Sequence, residues 1–313
     1  MNFSSQELFS HLNNINNNYY PLDKKHKQDK PKICLISNHY NESFHLKHFL
    51  DYYSKIIGSN NCIIVDHGSD EIFLDIIKSY NVGLINLPRF YLDEVQMSDF
   101  MSGLASSLLK FYDIIIKVDI DEIIVIDSRK YENLIDYFVQ NTSNSYTAIG
   151  LNVVNEIYVE NPYVENLSLF EQRKYVRFFS PMCKTIAITD PVHWSPGYHG
   201  LNLNINFNDF GLFLFHMREM DFTQRLKRIA FVRNFKRAQP HFNLLNQQIS
   251  NQQLFYEFTE MASWPKSDNF IEIIEHAKFI QHNIAKEGNF NVVKMDFCPK
   301  ILYRIPDYFK SPF

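Results

Sequence analysis

The residues best equipped for chemistry lie at 114–122, Ile-Ile-Ile-Lys-Val-Asp-Ile-Asp-Glu. An apolar strand there delivers two carboxylates, Asp119 and Asp121, separated by one apolar residue. Side chains alternate along an extended chain, so both acids point one way while Ile120 anchors the other side. Convergent carboxylates repel each other unless a cation lies near them. Hard oxygen ligands suit Mg2+ or Mn2+, and such an ion keeps positions open for phosphate oxygens. Bound there, it would offset charge developing on a leaving diphosphate. Lys117 alternates to the same face as Asp119 and offers a cation in place of a metal. The competing reading is an acidic turn after a strand, either solvated or capping the next turn of the chain.

Other side chains can join this site. His216 ends the apolar run Gly211–Phe215. A neutral imidazole ligates Mn2+ beside carboxylates, and it equally serves as a strand-end residue bonded to backbone. The segment 184–200 carries Asp190, His193, Trp194 and His199 between Pro191 and Pro196. Aromatic faces and polar groups of this kind bind sugars, or they pack a loop. Transfer with inversion needs a base for an acceptor hydroxyl, and Asp190, His193, His199 and Glu219 are the unranked candidates. Residues 225–237 carry Arg225, Lys227, Arg228, Arg233, Lys236 and Arg237 without an acid. That stretch suits anionic lipid head groups, a diphosphate, or plain solvent.

The elements that must position these groups follow from apolar patterning. Ile33–Ile36 and Cys62–Val65 are short apolar runs that suit buried parallel strands. Leu46, Phe49, Leu50, Tyr53 and Ile57 repeat with helical spacing. Ser69 is placed to cap a helix carrying Ile72, Ile76, Ile77 and Tyr80. A third strand is expected over Val82–Leu87, a helix over Ser98–Lys110 and a fourth strand over Ile114–Val118. Such alternation predicts a mostly parallel, Rossmann-like α/β sheet flanked by helices. Its ligands bind at the carboxyl ends of the strands. Ser37-Asn38, Asp66-His67 and Asp119-Ile120-Asp121 all sit at such ends. The expected organisation is a polar lead-in over 1–30 with a short helix, a catalytic domain over 31–215 and a mostly helical extension over 216–313.

The order Ile33–Ser37, Tyr40-Asn41-Glu42, Ile63–Asp70 and Val118-Asp119-Ile120-Asp121-Glu122 resembles the family 2-type bacterial glycosyltransferases of the GT-A fold. The resemblance covers residues 31–125 and fades beyond. It implies that Asp66 contacts the nucleoside, that Tyr40 and Glu42 lie in the loop beside it, and that Asp119 and Asp121 form the metal–diphosphate motif. Ser37 and Lys117 complete the expected donor-binding set, and His216 matches the late-chain metal ligand of several GT-A families. The implied reaction moves one sugar from a nucleoside diphosphate donor, UDP-linked as a class, to a glycan or lipid-linked glycan acceptor during cell-surface polysaccharide or lipopolysaccharide assembly. Mn2+ or Mg2+ would assist. His67 stands where the family keeps a second Asp, and the Gln-x-x-Arg-Trp motif of processive synthases is absent, which argues against polymerisation. Two rivals are a haloacid-dehalogenase-like phosphohydrolase with Asp119 as nucleophile, and a non-catalytic sugar-binding protein on the same fold. Glu122-Ile123 stand where the phosphohydrolases carry small residues.

Bulk properties narrow the field. A formal net charge of −4 provides no global field for nucleic acid, so any anion site must be local. The cysteines Cys34, Cys62, Cys183 and Cys298 have no metal-knuckle spacing, which suits reduced, buried thiols. No secretory signal is evident in MNFSSQELFS, and no apolar run nears the ~20 residues of a spanning helix. A cytoplasmic enzyme is expected, with peripheral contact at the inner membrane face where a lipid-linked acceptor would lie.

Overall fold

The computed structural model describes residues 30–165, 167–237, 249–293 and 296–312. The expected polar lead-in and its short helix lie, Lys30 apart, outside the described residues. The strands, in chain order, are β1 (Ile33–His39), β2 (Cys62–Asp66), β3 (Gly83–Asn86), β4 (Ile114–Lys117), β5 (Glu122–Ile126), β6 (Ser145–Thr147), β7 (Ile149–Val154), β8 (Tyr175–Phe178), β9 (Thr185–Ile188), β10 (Gly200–Leu201), β11 (Leu212–His216), β12 (Lys266–Ser267), β13 (Ala285–Glu287), β14 (Phe290–Val292) and β15 (Leu302–Arg304).

The apolar runs fold as their burial demands. Ile33, Cys34, Leu35, Ile36, Ile114, Ile115 and Ile116 are all buried, covered by helices returning along the sheet. The first sheet has the order β3-β2-β1-β4-β9-β6. Its first four strands run parallel, while β9 pairs antiparallel with both β4 and β6. The helices Phe44–Ile57 and Glu71–Ser79 make the crossovers, so the carboxyl ends of β1, β2 and β4 share one edge. The third helix spans Glu94–Leu108 and starts earlier than its apolar pattern, because Asp93 caps it by accepting from the Val95 and Gln96 N–H groups at 3.0 Å. Ser69 makes no cap. Its hydroxyl accepts the Asn41 N–H at 2.9 Å and lies 3.2 Å from His39 Nδ1.

A second sheet has the order β12-β15-β8-β7-β11-β5 and is mostly antiparallel. The architecture is therefore α/β with mixed sheets and flanking helices, which corrects the expectation of a mostly parallel sheet. The strands missed were two to six residues long, too short for a clear period-2 signal. The region after 215 holds the helices Phe222–Val232, Asn251–Ala262 and Ile271–Gln281. It also holds strands, of which β15 pairs with β8. A third small sheet joins β10, β14 and β13. The described residues from Pro31 onward form one compact unit.

The acidic turn at 118–121 is the passage from the first sheet, at β4, to the second, at β5. Register then decides what meets it. In the antiparallel pairing of β11 with β5, His216 lies opposite Glu122, and in the parallel pairing with β7 it lies beside Asn152. The β4–β9 register pairs Ile115 with Ile188 and Ile116 with Ala187. Continued past the strand ends, it brings Lys184 opposite Asp119.

Candidate functional site

The acidic turn is built from charges that face each other. Lys117 Nζ is ion-paired with Asp119 Oδ1, and Lys184 Nζ reaches Asp119 Oδ2 at 3.3 Å and Glu122 Oε1 at 2.6 Å. The Asp119 N–H donates to Glu122 Oε2 at 2.8 Å. Burial alone would raise the Asp119 carboxyl, but the two lysines hold it well below the carboxylate range. Glu122 is pushed up by burial and by its acidic neighbours, against the pull of Lys184. Against the same cost of burial, Asp119 and Glu122 push the Lys184 ammonium above its ordinary value.

Asp121 is paired differently. Its Oδ2 lies 3.2 Å from His216 Nε2, while His216 Nδ1 lies 3.0 Å from Asn152 Oδ1. Burial opposes ionisation of Asp121, yet His216, His45 and Arg228 hold it far below the usual range. Asp121, Glu122 and His216 each offer a ligand atom, and these atoms lie within 4.8 Å of one another. Two carboxylates and an imidazole suit Mn2+ or Mg2+, and the Asp121 side chain is 31% exposed, so this donor set fits such an ion. Asp119 is not in the set, and its oxygens face the two ammonium groups of Lys117 and Lys184.

A cleft of about 420 Å³ opens at the carboxyl edge of the first sheet. Asp119 and Asp121 line it, together with Asn38, Tyr40 and Glu42 from the end of β1. The rest of its lining includes Arg218 and the Phe222–Val232 helix, through Gln224, Arg225, Lys227 and Arg228. Asp221 caps that helix by accepting the Gln224 N–H at 2.9 Å. Residues 225 and 228 are three apart and share a helical face. Burial beside Arg218 pulls the Arg225 guanidinium down to about 9. Burial also lowers Arg228, against the attraction of Glu42 and Asp121. Arg225 and Arg228 thus turn into a cleft, and the basic segment is not simply a solvated face.

Also in the cleft lining, the Arg89 guanidinium lies 3.8 Å from the Tyr40 ring centre and 4.9 Å from that of Phe235. Its Nη1 is 3.1 Å from His67 Nδ1. Arg89 Nη2 and Asn38 Oδ1 are buried without a hydrogen-bond partner, and both residues line the cleft. Buried polar atoms left so are costly, and a ligand can satisfy them. Glu42 is held by His45, whose N–H donates to Oε2 at 2.9 Å and whose Nδ1 lies 3.1 Å from Oε1.

Several expected site residues sit behind the wall. The Ser37 hydroxyl donates to Val118 O at 2.7 Å and steadies the acidic turn from below. Lys117 is buried under Asp119, against the Tyr198 ring. Asp66 is 1% exposed and does not line the cleft. Its Oδ1 lies 3.1 Å from His39 Nδ1, and its Oδ2 accepts the Gly68 and Ser69 N–H groups at 3.0 and 2.9 Å. That carboxylate therefore organises the 66–70 loop, and the nucleoside contact implied for it is not among these partners. Asp66→Ala is expected to lower stability by about 1–3 kcal/mol by leaving these donors unpaired. Urea unfolding followed by circular dichroism measures this. An unchanged midpoint with a raised donor KM would restore the ligand-binding role.

The four base candidates do not line the cleft either. Asp190 and His193 are exposed on the loop after β9, and His193 Nε2 lies 2.9 Å from Asp99. His199 Nδ1 is 2.7 Å from Pro181 O, and burial beside Lys184 drops the imidazole to about 4. Glu219 forms a two-pronged pair with Arg177 at 2.8 and 2.6 Å, which against burial holds it down at about 2. A carboxylate so held is a weak proton acceptor. Sequence reasoning missed Lys184, His45, Arg89 and Arg218. Only His45, three residues after Glu42 at a helix start, left a local trace.

No described protein family matches the chain, and no curated protein does. Partial likenesses to solved structures exist. A mannosyltransferase from Pyrobaculum calidifontis in complex with GDP-Man and Mn2+ is 14% identical, over 46% of this chain and 43% of its own, with a TM-score of 0.29. A cytidylyltransferase from Leptospira borgpetersenii is 12% identical, over 51% and 60%, with a TM-score of 0.27. A CMP:2-keto-3-deoxy-manno-octonic acid synthetase complexed with CTP is 13% identical, over 50% and 74%, with a TM-score of 0.29. The chain spans less than two thirds of the first two. Overlaps at these TM-scores carry no argument, so the site's own geometry must decide what it can do.

Proposed function

We propose that this chain is a metal-assisted glycosyltransferase of GT-A type, moving one sugar from a nucleoside diphosphate donor to a hydroxyl acceptor. The observation that carries this reading is the lining of one cleft by Asp119 and Asp121, with Asp121 reaching back to the buried Glu122 and His216 as a cation-ready set, and by Arg218, Arg225 and Arg228. A diphosphate is the common ligand that satisfies both. Its oxygens accept charge-assisted bonds from arginines, and its charge matches an ion held by Asp121, Glu122 and His216. Mn2+ or Mg2+, when bound, supplies stabilisation of the negative charge on the leaving diphosphate.

The chain's own residues have separable tasks under this reading. Asp121 and His216 hold the cation site, with Asn152 orienting the imidazole. Arg225 and Arg228 grip the diphosphate. Tyr40, Arg89 and Phe235 offer an aromatic and cationic surface for the base, and Asn38 and Arg89 offer it an acceptor and a donor. The cleft volume falls within the range of about 300–1,000 Å³ usual for small-ligand sites.

A UDP-linked donor and a glycan or lipid-linked acceptor in cell-surface polysaccharide assembly remain part of the proposal through the sequence resemblance. So does a cytoplasmic enzyme working at the inner membrane face. Among the described residues, no helix is long and apolar enough to cross a membrane. Calorimetric titration with a panel of nucleotide sugars, with and without Mn2+, tests the reading. Mn2+-dependent binding supports it, and hydrolysis of a phosphomonoester without such binding favours the phosphohydrolase.

A further inference from the structure

The acidic turn already contains cations of its own. Lys184, just before β9, is a buried lysine whose side chain is 2% exposed. Its ammonium touches Asp119 at 3.3 Å and Glu122 at 2.6 Å, and Glu122 in turn accepts the Asp119 N–H at 2.8 Å. Ammonium, carboxylate, backbone and second carboxylate thus close a ring around the turn. Lys117 takes the remaining Asp119 oxygen. An ammonium group therefore stands between two of the turn's carboxylates, as a divalent ion would. Glu122 is at once Lys184's partner and a member of the cation-ready set with Asp121 and His216.

We propose that Lys184 is a built-in competitor of the divalent ion, a positioning residue that ties back Asp119 and Glu122 and so sets how tightly the turn holds Mn2+. This rests on the metal-assisted reading above. Two cations near the same carboxylates repel each other, so each lowers the other's affinity. A turn partly neutralised by Lys184 holds its ion loosely. Donor phosphate oxygens would then strengthen the hold of Asp121, Glu122 and His216 on the ion.

The consequence is opposite in sign to that of a purely structural lysine, whose removal would loosen the site. Mn2+ binding to the full chain without donor, read from loss of the free-ion electron paramagnetic resonance signal, separates the two. Lys184→Met is expected to tighten Mn2+ binding about tenfold or more. Its melting temperature should become strongly Mn2+-dependent, because the ion now compensates two buried acids. Lys184→Arg keeps the charge and should bind Mn2+ as the parent does. Should Lys184→Met not fold, Lys184→Met/Asp119→Asn removes one charge of each sign, leaves Asp121, Glu122 and His216 intact, and is expected to bind Mn2+ at least as tightly as the parent. A folded Lys184→Met with equal or weaker Mn2+ affinity overturns the proposal, as does a double variant that has lost Mn2+ binding. If the parent binds Mn2+ and Lys184→Met binds no more tightly, only this inference falls. If the parent binds none, with or without nucleotide, the metal-assisted reading falls with it.

Discussion

Asp121→Asn is expected to lower sugar transfer about 10²–10³-fold at saturating donor while leaving the protein folded. The substitution preserves size and removes one negative charge from the set formed with Glu122 and His216. Asp121 is the acid of the turn paired with an imidazole, whereas Asp119 is ion-paired with Lys117 and Lys184. Losing Asp121 therefore removes cation affinity that Asp119 cannot replace. Folding should survive because the residue sits in a turn, where Asn is as acceptable as Asp. Turnover across a Mn2+ titration, with folding checked by circular dichroism, measures the effect. The half-saturating Mn2+ concentration should rise along with the fall in kcat. Near-normal turnover at low Mn2+ would make Asp121 a turn residue only.

Arg225→Gln should reduce kcat/KM for the donor about 10–10²-fold, the size of one charge-assisted hydrogen bond in a desolvated site. Burial beside Arg218 already strains the guanidinium's charge, lowering it to about 9. An arriving diphosphate relieves that cost and gains from it. The ground-state donor carries this charge before transfer begins, so most of the loss should appear in KM. Lys236, exposed and outside the cleft lining, provides the control. Lys236→Gln should change donor kinetics little, since an exposed ammonium is screened by water and salt. Unchanged kinetics in folded Arg225→Gln would remove the arginines from the diphosphate site.

How much of this was legible in the sequence depends on whether the signal was local. The acidic turn was readable because Ile114–Ile116 is a continuous buried run ending in alternating carboxylates. The parallel half of the first sheet was readable for the same reason at Ile33–Ile36 and Cys62–Val65. His216 stood out because an apolar run delivers it, and register with β5 brings it to Asp121. Lys184 left no trace, since its role depends on an antiparallel pairing between strands about 70 residues apart. The arginines were visible as a basic run, but which face they presented was decided by how their helix packs over the sheet edge. Asp66 was ambiguous because a carboxylate at a strand end looks alike whether it meets a ligand or the N–H groups of its own loop. Asp190 and His193 were plausible by residue type, and they do not line the cleft.

The most direct measurement is isothermal titration of the full chain with UDP-, GDP-, CMP- and dTDP-linked sugars, with Mn2+ and with excess chelator. Release of free nucleotide is followed by 31P magnetic resonance on the same samples. The account predicts that at least one nucleoside diphosphate sugar binds with Mn2+ and weakly without it. It further predicts that Asp121→Asn and Arg225→Gln each impair binding, and that bound donor yields nucleoside diphosphate when a hydroxyl acceptor is present. Binding that is indifferent to Mn2+ and to both substitutions would contradict the assignment of this cleft as a metal–diphosphate site.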